Sequence, residues 1–343
     1  MTELTYREFT RQLNQPHRSA NATIDERRGF VVRLGGGIGE AAPLPPWTEP
    51  FDQTRLLLEH ASDELEAGAS PSSALSMCGG SPAARHAIAQ AMLDHHARIH
   101  DKPLYRHLRP TPMVTEVRVN ATLGTRSRDR LIEEADHARK EGFRTLKLKV
   151  GAGSVEDDIA RVSSVREHVG EDIDIRVDAN ASWSVDTAMT FCEGVRQLRL
   201  DYLEQPVAGC DMETLSRLVE TGVPIALDES LAEGDVVEAL GAPVAAFVIK
   251  PMAVGGIDRA FAIARAARQR GKQAVISDLL SGAIGRAGAV HLAGAIDPTT
   301  AHGLATGSRF TDDLVEDVVA VSDGSVPIPD GKGIGIDPEA IGI

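Results

Sequence analysis

The sequence has few aromatic residues, and it lacks a long hydrophobic run. Aromatic residues make up 4% of the 343 residues, so a large core must be built mainly from aliphatic side chains. The longest apolar run, residues 242–249, is far shorter than the ~20 residues that a membrane-spanning helix requires. The segment Met1–Gln12 mixes charged and polar residues and resembles neither a signal peptide nor an anchor. We therefore expect a soluble, cytoplasmic protein.

Positive charge is also scarce, and so is cysteine. The chain carries 36 basic and 50 acidic residues, a formal net charge of −14. Nucleic acids and anionic membranes are bound by lysines and arginines that displace counterions, so neither is an expected partner. The cysteines are odd in number and form no CxxC pair, which favours reduced, buried thiols over disulfides. They are Cys78, Cys192 and Cys210.

From about Val117 onward, short aliphatic runs alternate with longer amphipathic segments, which predicts repeated βα units. Eight such units can form a doubly wound sheet or a closed barrel. No GxGxxG follows the first strand, and Gly35–Gly37 precede an acidic residue, which favours a turn over a phosphate site. The strand candidates are Val117–Leu123, Thr145–Val150, Ile173–Asn180, Tyr202–Val207, Pro224–Ser230, Ala246–Pro251, Ala274–Leu279 and a degenerate eighth near Gly303–Gly307. The helix candidates are Arg128–Glu141, Ser154–Val169, Val185–Leu198 and Ile257–Arg270, with Ser154 and Asp157 fitting a capping box.

The first part of the chain has a different pattern. Segments around Leu4–Leu13 and Phe30–Leu34 predict a small antiparallel sheet, and Ser81–His100 predicts a helix with Ser81 as its N-cap and a proline at the first helical position. Pro110 and Pro112 mark the expected junction. We predict an α+β capping domain over residues 1–112, a barrel over 113–308, and a tail, 309–343, that packs back on the capping domain.

Five charged residues fall near the carboxyl ends of five consecutive strand candidates, at spacings of one βα unit. They are Lys149, Asp178, Glu204, Asp228 and Lys250. In a (β/α)₈ barrel those strand ends meet at one mouth. A single such residue is usually a solvated loop residue or a helix cap, but the joint pattern predicts a site. It favours an α/β fold of the (β/α)₈, modified TIM barrel type over a doubly wound sheet.

The residue types indicate the chemistry. Three carboxylates without nearby histidine or cysteine suit Mg²⁺ or Mn²⁺ rather than Zn²⁺. A carbon acid next to a carboxylate loses its proton only if a cation holds the resulting enediolate, and a lysine can serve as the base. Lys147 and Lys149 are two apart on one strand, so their side chains share a face. Only seven of the 36 basic residues are lysine, and three of them lie at these two strand ends.

Five motifs in order resemble the muconate-lactonizing subgroup of the enolase superfamily, over almost the whole chain. They are residues 145–151 (TLKLKVG), 177–180 (VDAN), 203–206 (LEQP), 227–230 (LDES) and 248–251 (VIKP). The resemblance implies Asp178, Glu204 and Asp228 as ligands of Mg²⁺, Lys149 as the acid/base, and Lys250 across the substrate. It implies supporting roles for Lys147, Asn180 and Glu229, and Arg176 is a weaker candidate. The expected partner is a small-molecule carboxylate, and a homo-oligomer remains open.

The capping domain must indicate the substrate, because members of the subgroup share the first half-reaction. Residues 37–45 with Trp47–Glu49, Val119–Ala121 and Gly303–Gly307 resemble o-succinylbenzoate synthases, which implies dehydration of a cyclohexadiene carboxylate in menaquinone synthesis. The alternatives are an N-succinylamino acid racemase or dipeptide epimerase, then a muconate cycloisomerase. Against the epimerases, 303–307 lacks an Asp-x-Asp. Near position 281 the chain lacks a glutamate that many relatives have. An inactive, metabolite-binding barrel is the non-enzymatic alternative.

Overall fold

The structure, a computed structural model, describes residues 3–18, 23–110, 113–124, 127–209 and 211–343. Pro112 of the expected junction, Cys210, and the first two residues of the N-terminal segment lie outside these ranges. Among the described helices, none is long and apolar enough to cross a membrane. Cys78 and Cys192 are buried free thiols, as predicted, and burial raises the pKa of each to about 11.

The first three strands form an antiparallel sheet in the order β1-β2-β3. The sequence predicted β1 and β2, and Gly35 and Gly36 form the predicted turn before β3. A helix packs so tightly on β3 that a Cβ at Gly37 would lie 2.1 Å from the carbonyl oxygen of Ala91, so only glycine fits there. The strands are β1 (Leu4–Arg18), β2 (Thr23–Leu34) and β3 (Gly37–Ala41), and the helices that cover them are α1 (Phe51–Glu66), α2 (Pro71–Met77), α3 (Pro82–Ile99) and α4 (Leu104–Leu108).

Helix α3 begins where the sequence predicts, but a different side chain caps it. Ser81 occupies the N-cap position without a side-chain cap hydrogen bond. Instead, the buried carboxylate of Glu49 accepts hydrogen bonds from the backbone N–H groups of Ala83 (2.9 Å) and Ala84 (2.8 Å). Ser81 is therefore the N-cap residue that the sequence predicted, but the capping hydrogen bonds come from a longer acidic side chain in the loop before α1.

The second half of the chain forms a parallel sheet of seven strands that curls into a barrel, as predicted. Its order is β11-β10-β9-β8-β7-β6-β5, so each strand lies beside its neighbour along the chain. The strands are β5 (Ala121–Leu123), β6 (Thr145–Lys149), β7 (Asp174–Asp178), β8 (Tyr202–Glu204), β9 (Ile225–Leu227), β10 (Ala246–Ile249) and β11 (Gln273–Ile276), and β4 (Glu116–Arg118) precedes them.

Within the described residues, the barrel closes without a regular eighth strand. His302 forms a parallel bridge with Val119, and Gly303 forms one with Ser277, so these two residues join the last strand to the first. The predicted strand Val117–Leu123 is split, because β4 pairs antiparallel with β12 (Ser325–Pro327) whereas β5 pairs parallel with β6. The chain tail thus supplies a strand beside the barrel.

Helices follow the barrel strands, and Ser154 caps α6 through the backbone N–H of Asp157 as predicted. Helix α12 is buried along its whole length, and its glycines and alanines let it pack against α4, α11 and β3. The helices are α5 (Arg128–Lys140), α6 (Val155–Val169), α7 (Val185–Val195), α8 (Met212–Glu220), α9 (Glu229–Glu233), α10 (Val236–Gly241), α11 (Ile257–Gln269) and α12 (Ala283–Ile296), and 3₁₀ turns span Gly307–Arg309 and Pro338–Ile341.

The tail after Arg309 makes hydrogen bonds with the first hundred residues. Thr311 N–H donates to the Gln12 carbonyl over 3.1 Å, and Ile334 N–H donates to the buried Asp94 carboxylate over 2.7 Å. Arg33 binds the Glu339 carboxylate and the Ile343 carbonyl. These contacts tie the end of the chain to the β1–β3 sheet and to α3.

Candidate active site

The register of the barrel strands brings the charged residues of three strands into one row. Lys149 at the end of β6 lies opposite Asp178 at the end of β7. Asp178 in turn lies opposite Glu204 at the end of β8. Since parallel strands end at the same edge of the sheet, residues one βα unit apart in sequence become neighbours there.

Two lysines and two carboxylates form a buried ionic cluster in this row. The Lys147 ammonium lies 2.7 Å from Glu204 Oε1 and 2.9 Å from Asp178 Oδ2. The Lys149 ammonium lies 2.6 Å from the same Asp178 oxygen. Lys147 and Lys149 point to the same side of β6, as their spacing predicted. Asp178 is therefore shared between two cations.

Lys250, which follows β10, completes the arrangement from across the mouth. Its ammonium lies 2.5 Å from Asp228 Oδ2 and 3.5 Å from the centre of the Trp47 indole ring. Trp47 comes from the loop between β3 and α1, so one residue of the N-terminal part sits directly on a barrel lysine. An ammonium over an aromatic face is attracted by the negative electrostatic potential of the π face of the neutral ring.

The supporting residues that the family resemblance implied are in contact with this cluster. Asn180 accepts a hydrogen bond from Lys149 over 2.7 Å and donates one to Glu229 over 3.1 Å. Gln205 was not singled out in the sequence. Its side-chain oxygen accepts the backbone N–H groups of Asp228 (2.9 Å) and Ser230 (3.2 Å), so it fixes the backbone that carries Asp228. Its place in the Leu203–Pro206 motif was the available signal.

Arg176 faces the barrel interior, but it lies one layer below the cluster. Its guanidinium donates to Asp201 (2.7 Å), the Ala301 carbonyl (2.6 Å) and Asn120 (3.3 Å), and it stacks on the Tyr202 ring. It lines a separate cavity at the amino ends of the strands. Lys147 and Asp178 thus share a cavity that Arg176 does not reach.

The pKa values of the three buried carboxylates of this cluster differ in the direction of their shifts. Burial raises the pKa of Glu204 to about 8, and the neighbouring Asp178 adds to the rise while Lys147 opposes it. Burial also raises the pKa of Asp228 to about 6, against the attraction of Lys250. For Asp178, burial is outweighed by Lys147 and Lys149, which hold its pKa below the usual range. Asp178, which contacts two ammonium groups, is therefore the one of these three carboxylates whose pKa is lowered.

Unpaired oxygen atoms test whether the cluster fits a metal ion. Glu204 Oε2, Asp228 Oδ1 and Glu229 Oε2 are buried without a hydrogen-bond partner, which is costly for a carboxylate unless a cation binds it. All are hard oxygen donors of the kind Mg²⁺ prefers. Within the described residues, no three acidic, histidine or cysteine side chains stand as a ready-made ligand set, because the ammonium groups occupy the space between the carboxylates. The donor chemistry fits a divalent cation that would displace these ammonium contacts.

A cavity of about 340 Å³ opens over the cluster between the barrel and the N-terminal part. Its floor carries both catalytic candidates, Lys149 at the end of β6 and Lys250 just after β10. These two strands are far apart in the sheet order, so the lysines face each other across the mouth. The other lining residues are Ile24, Leu44, Pro45, Pro46, Trp47, Asn120, Thr122, Lys147, Asp178, Asn180, Ala181, Ala208, Gly209, Glu229, Glu233, Ser277, Asp278, Leu279, Leu280, Gly303, Thr306 and Arg309.

The sequence matches a known family model. Residues 130–341 match the model for the enolase C-terminal domain-like family. An N-succinylamino acid racemase of Thermus thermophilus is 30% identical over 88% of this chain and 83% of its own. An o-succinylbenzoate synthase of Mycolicibacterium smegmatis is 39% identical over 62% of this chain and 66% of its own.

A solved structure matches the whole chain. The dipeptide epimerase of Enterococcus faecalis, in complex with Mg and the dipeptide L-Leu-L-Tyr, superposes with a TM-score of 0.88. It is 28% identical in sequence, and the match covers 98% of this chain and 99% of that one. The three relatives have three different activities. The comparisons therefore identify the family of this chain but not its reaction.

Proposed function

Because the chain belongs to the enolase superfamily, we propose that it is an o-succinylbenzoate synthase. The reaction is the dehydration of 2-succinyl-6-hydroxy-2,4-cyclohexadiene-1-carboxylate to 2-succinylbenzoate, as in menaquinone synthesis. The observation that carries the proposal is the contact between Trp47 and Lys250. Dehydration needs one base and one fixed cation, whereas racemisation needs a base on each face of the substrate.

In the proposed reaction, Lys149 in its amine form takes the proton from the carbon next to the ring carboxylate. Electrons of that C–H bond enter the carboxylate as an enediolate and then return to form the aromatic ring, as the C–O bond of the neighbouring hydroxyl breaks. Lys149 gives its proton to the departing hydroxide, so water leaves and the amine is restored. Asn180 orients Lys149 through its 2.7 Å hydrogen bond.

Lys250 takes the role of a fixed cation in this scheme. Asp228 and the indole ring of Trp47 both contact its ammonium group and hold it in place. It therefore faces the ring of the substrate as a positive charge and stabilises the enediolate electrostatically. Mg²⁺ fits the oxygens of Asp178, Glu204 and Asp228, which would hold it, and when bound it supplies positive charge next to the developing enediolate.

A second candidate is a dipeptide epimerase or N-succinylamino acid racemase. Asp278 and Glu233 line the cavity, and a carboxylate there could bind the amino group of a dipeptide. Asp278 already accepts hydrogen bonds from Ser281 N–H (2.8 Å) and from Thr306 (3.0 Å), which makes it less available. Dehydration therefore remains the function that the cavity supports best.

Absorbance-monitored turnover of the cyclohexadiene substrate tests the proposal. The wild-type protein should aromatise this substrate in the presence of Mg²⁺, and turnover should stop when a chelator removes the metal. Lys149→Ala should lose roughly a hundred- to ten-thousandfold in kcat, the usual contribution of a general base. Lys140→Ala, which removes an exposed lysine of α5, is the matched control and should keep its activity.

Each other result has a definite meaning. Wild type that aromatises nothing with Mg²⁺ present rules out the synthase, and N-succinyl amino acids and dipeptides are then assayed by loss of α-deuterium. Lys149→Ala that turns over as fast as Lys140→Ala removes the assigned base.

A further inference from the structure

The substrate cavity has one wall from the N-terminal part and one from the barrel. Leu44 to Trp47 form the first wall, and Leu279 and Leu280, just after β11, form part of the second. Arg27, in the middle of β2, lies buried between the two, with 3% of its surface exposed. It does not line the cavity itself.

The Arg27 guanidinium binds backbone carbonyls of both segments. On one side it donates to the carbonyls of Pro43 (3.0 Å) and Ala42, which lead directly into the first wall. On the other side it donates to the carbonyls of Leu279 (3.3 Å) and Leu280 (3.4 Å). The planar, forked guanidinium can reach four acceptors at fixed angles, which a lysine ammonium cannot do.

Burial of the Arg27 guanidinium costs free energy, and an aliphatic side chain could fill the same space without that cost. Burial lowers the pKa of Arg27 to about 10, while Asp278 and Glu40 act to raise it. A buried cation is kept only when its surroundings compensate the lost hydration. Here the backbone carbonyl groups of the two walls provide that compensation. The guanidinium charge is stabilised only while both walls stay within hydrogen-bond distance of it, and the guanidinium in turn holds the walls at that distance.

The first wall connects the Arg27 hydrogen bonds to the floor of the site. Leu44 N–H donates to the Thr48 hydroxyl over 2.7 Å, and Thr48 N–H donates to the Leu44 carbonyl over 3.2 Å. Residues 44–48 are therefore closed on themselves and directly follow the anchor at Pro43. Trp47 is in that unit, and its ring covers Lys250.

We propose that Arg27 is the positioning residue of this site: it fixes the separation of the two cavity walls and, through loop 44–48, the contact of Trp47 with Lys250. The ring carboxylate would bind between these walls, and this substrate assignment rests on the proposed function. The wall contacts themselves do not depend on it. No part of Arg27 touches the reacting atoms.

The experiment compares Arg27→Lys with Arg166→Lys. Arg166 on α6 also binds four backbone carbonyls, those of Leu198, Arg199, Gly170 and Ile173, with its shortest bond at 2.6 Å, but these acceptors lie beside the amino ends of the strands. Both substitutions should lower thermal stability. Arg27→Lys should lower kcat/KM by about ten- to a hundredfold through misplacement, and Arg166→Lys should change it less than about twofold.

A fluorescence measurement reads the loop without any substrate. The chain has two tryptophans, so Trp183→Phe leaves Trp47 as the reporter. Trp183 packs on the ring of Phe191 and is not one of the residues that line the cavity. In that background, Arg27→Lys should shift the Trp47 emission to the red and raise its quenching by acrylamide, and Arg166→Lys should do neither. Arg27→Gln, which buries no charge, takes the place of the lysine variant if that variant does not fold.

A double-mutant cycle separates positioning from plain destabilisation. If Arg27 acts on kcat through Trp47, Arg27→Lys should lower kcat much less in a Trp47→Leu background, while KM still rises because the walls are loosened. Unchanged Trp47 emission together with kcat/KM equal to that of Arg166→Lys would overturn the inference. Wild type that turns over none of the ring substrate removes the proposed function, and the emission of Trp47 still decides the role of Arg27.

Discussion

Lys250 is bound by two groups of opposite kinds, the Asp228 carboxylate and the Trp47 ring. The carboxylate is a charge that a substrate or a metal can compete for, whereas the indole face attracts the ammonium without forming a hydrogen bond. Trp47 would therefore keep Lys250 in position if Asp228 bound another cation. In the proposed function, this contact marks Lys250 as the lysine that stabilises charge and leaves the proton transfer to Lys149.

Trp47→Leu should lower the rate of dehydration while leaving the metal requirement intact. A desolvated cation–π contact contributes about 1–2 kcal/mol, so kcat should fall roughly tenfold. The kcat of Trp47→Phe, which keeps an aromatic face, should fall less. Initial rates on the cyclohexadiene substrate measure dehydration, and initial rates on an N-succinyl amino acid measure racemisation. Any racemisation should not fall in Trp47→Leu, since that reaction needs Lys250 to accept a proton. A parallel fall of both activities would mean that Trp47 only shapes the cavity.

At the scale of elements, the N-terminal part is joined to the barrel by acidic side chains that cap helices. Glu40 on β3 is fully buried, and it accepts the backbone N–H groups of Gly282 (2.7 Å) and Gly285 (3.0 Å) at the start of α12. Arg11 binds the same carboxylate over 3.1 Å. Burial would raise the pKa of Glu40, but Arg11 and these N–H groups outweigh it and hold the pKa low. A barrel helix therefore begins on a carboxylate from another sheet.

Helix α3 offers a direct test of such capping. Glu49→Ala leaves the buried N–H groups of Ala83 and Ala84 without their acceptor, and it should lower the free energy of unfolding by about 2 kcal/mol. Ser81→Ala removes only a hydrogen bond with Gln53 and should cost less than about 1 kcal/mol. Urea unfolding followed by circular dichroism measures both. A larger loss for Ser81→Ala than for Glu49→Ala would return the capping role to the serine that the sequence indicated.

At the scale of the whole molecule, the described residues include three histidines that are buried without charge. Burial lowers the pKa of His86, His291 and His302 to about 4 each. His302 accepts the backbone N–H of Ile276 on one ring nitrogen, and its other nitrogen lies 2.9 Å from the Asp297 carbonyl, so the neutral ring fits its place. Protonation of any of the three would put an unpaired charge into the core.

These histidines predict acid sensitivity in a defined window. Their pKa values are lower in the folded chain than the 6.5 of an unfolded one, so between pH 6.5 and about 4 the unfolded state binds protons that the folded state does not. Stability should therefore fall as pH is lowered through that window, by up to about 1.4 kcal/mol per pH unit for each histidine, and level off below it.

Urea unfolding at several pH values checks this window. His302→Gln should be less stable than wild type at pH 7 but should show a shallower loss on acidification. His60→Gln, at an exposed position of α1, should follow the wild-type curve. If the curves of wild type and His302→Gln run parallel from pH 7 to pH 5, His302 is not the neutral, buried group described.

The sequence by itself determined the repeating βα units and the five charged strand ends. Both follow from local patterns: a strand or helix is fixed by the spacing of apolar residues within it, and parallel strands must end at one edge. That reasoning located Lys149, Asp178, Glu204, Asp228 and Lys250 at one mouth. Supporting roles for Asn180 and Glu229 came from the family resemblance, because nothing in their spacing marks them.

Only the tertiary structure decided which distant segments meet. Trp47 over Lys250, Arg27 between two walls, Glu49 at the start of α3, and β12 beside β4 all join parts of the chain whose sequences carry no shared periodicity. A cation–π contact or a hydrogen bond to a carbonyl depends on positions within a few tenths of an ångström, and any carbonyl along the chain offers the same acceptor. Packing of the N-terminal sheet on the barrel selects among them, so these residues become visible only in the folded chain.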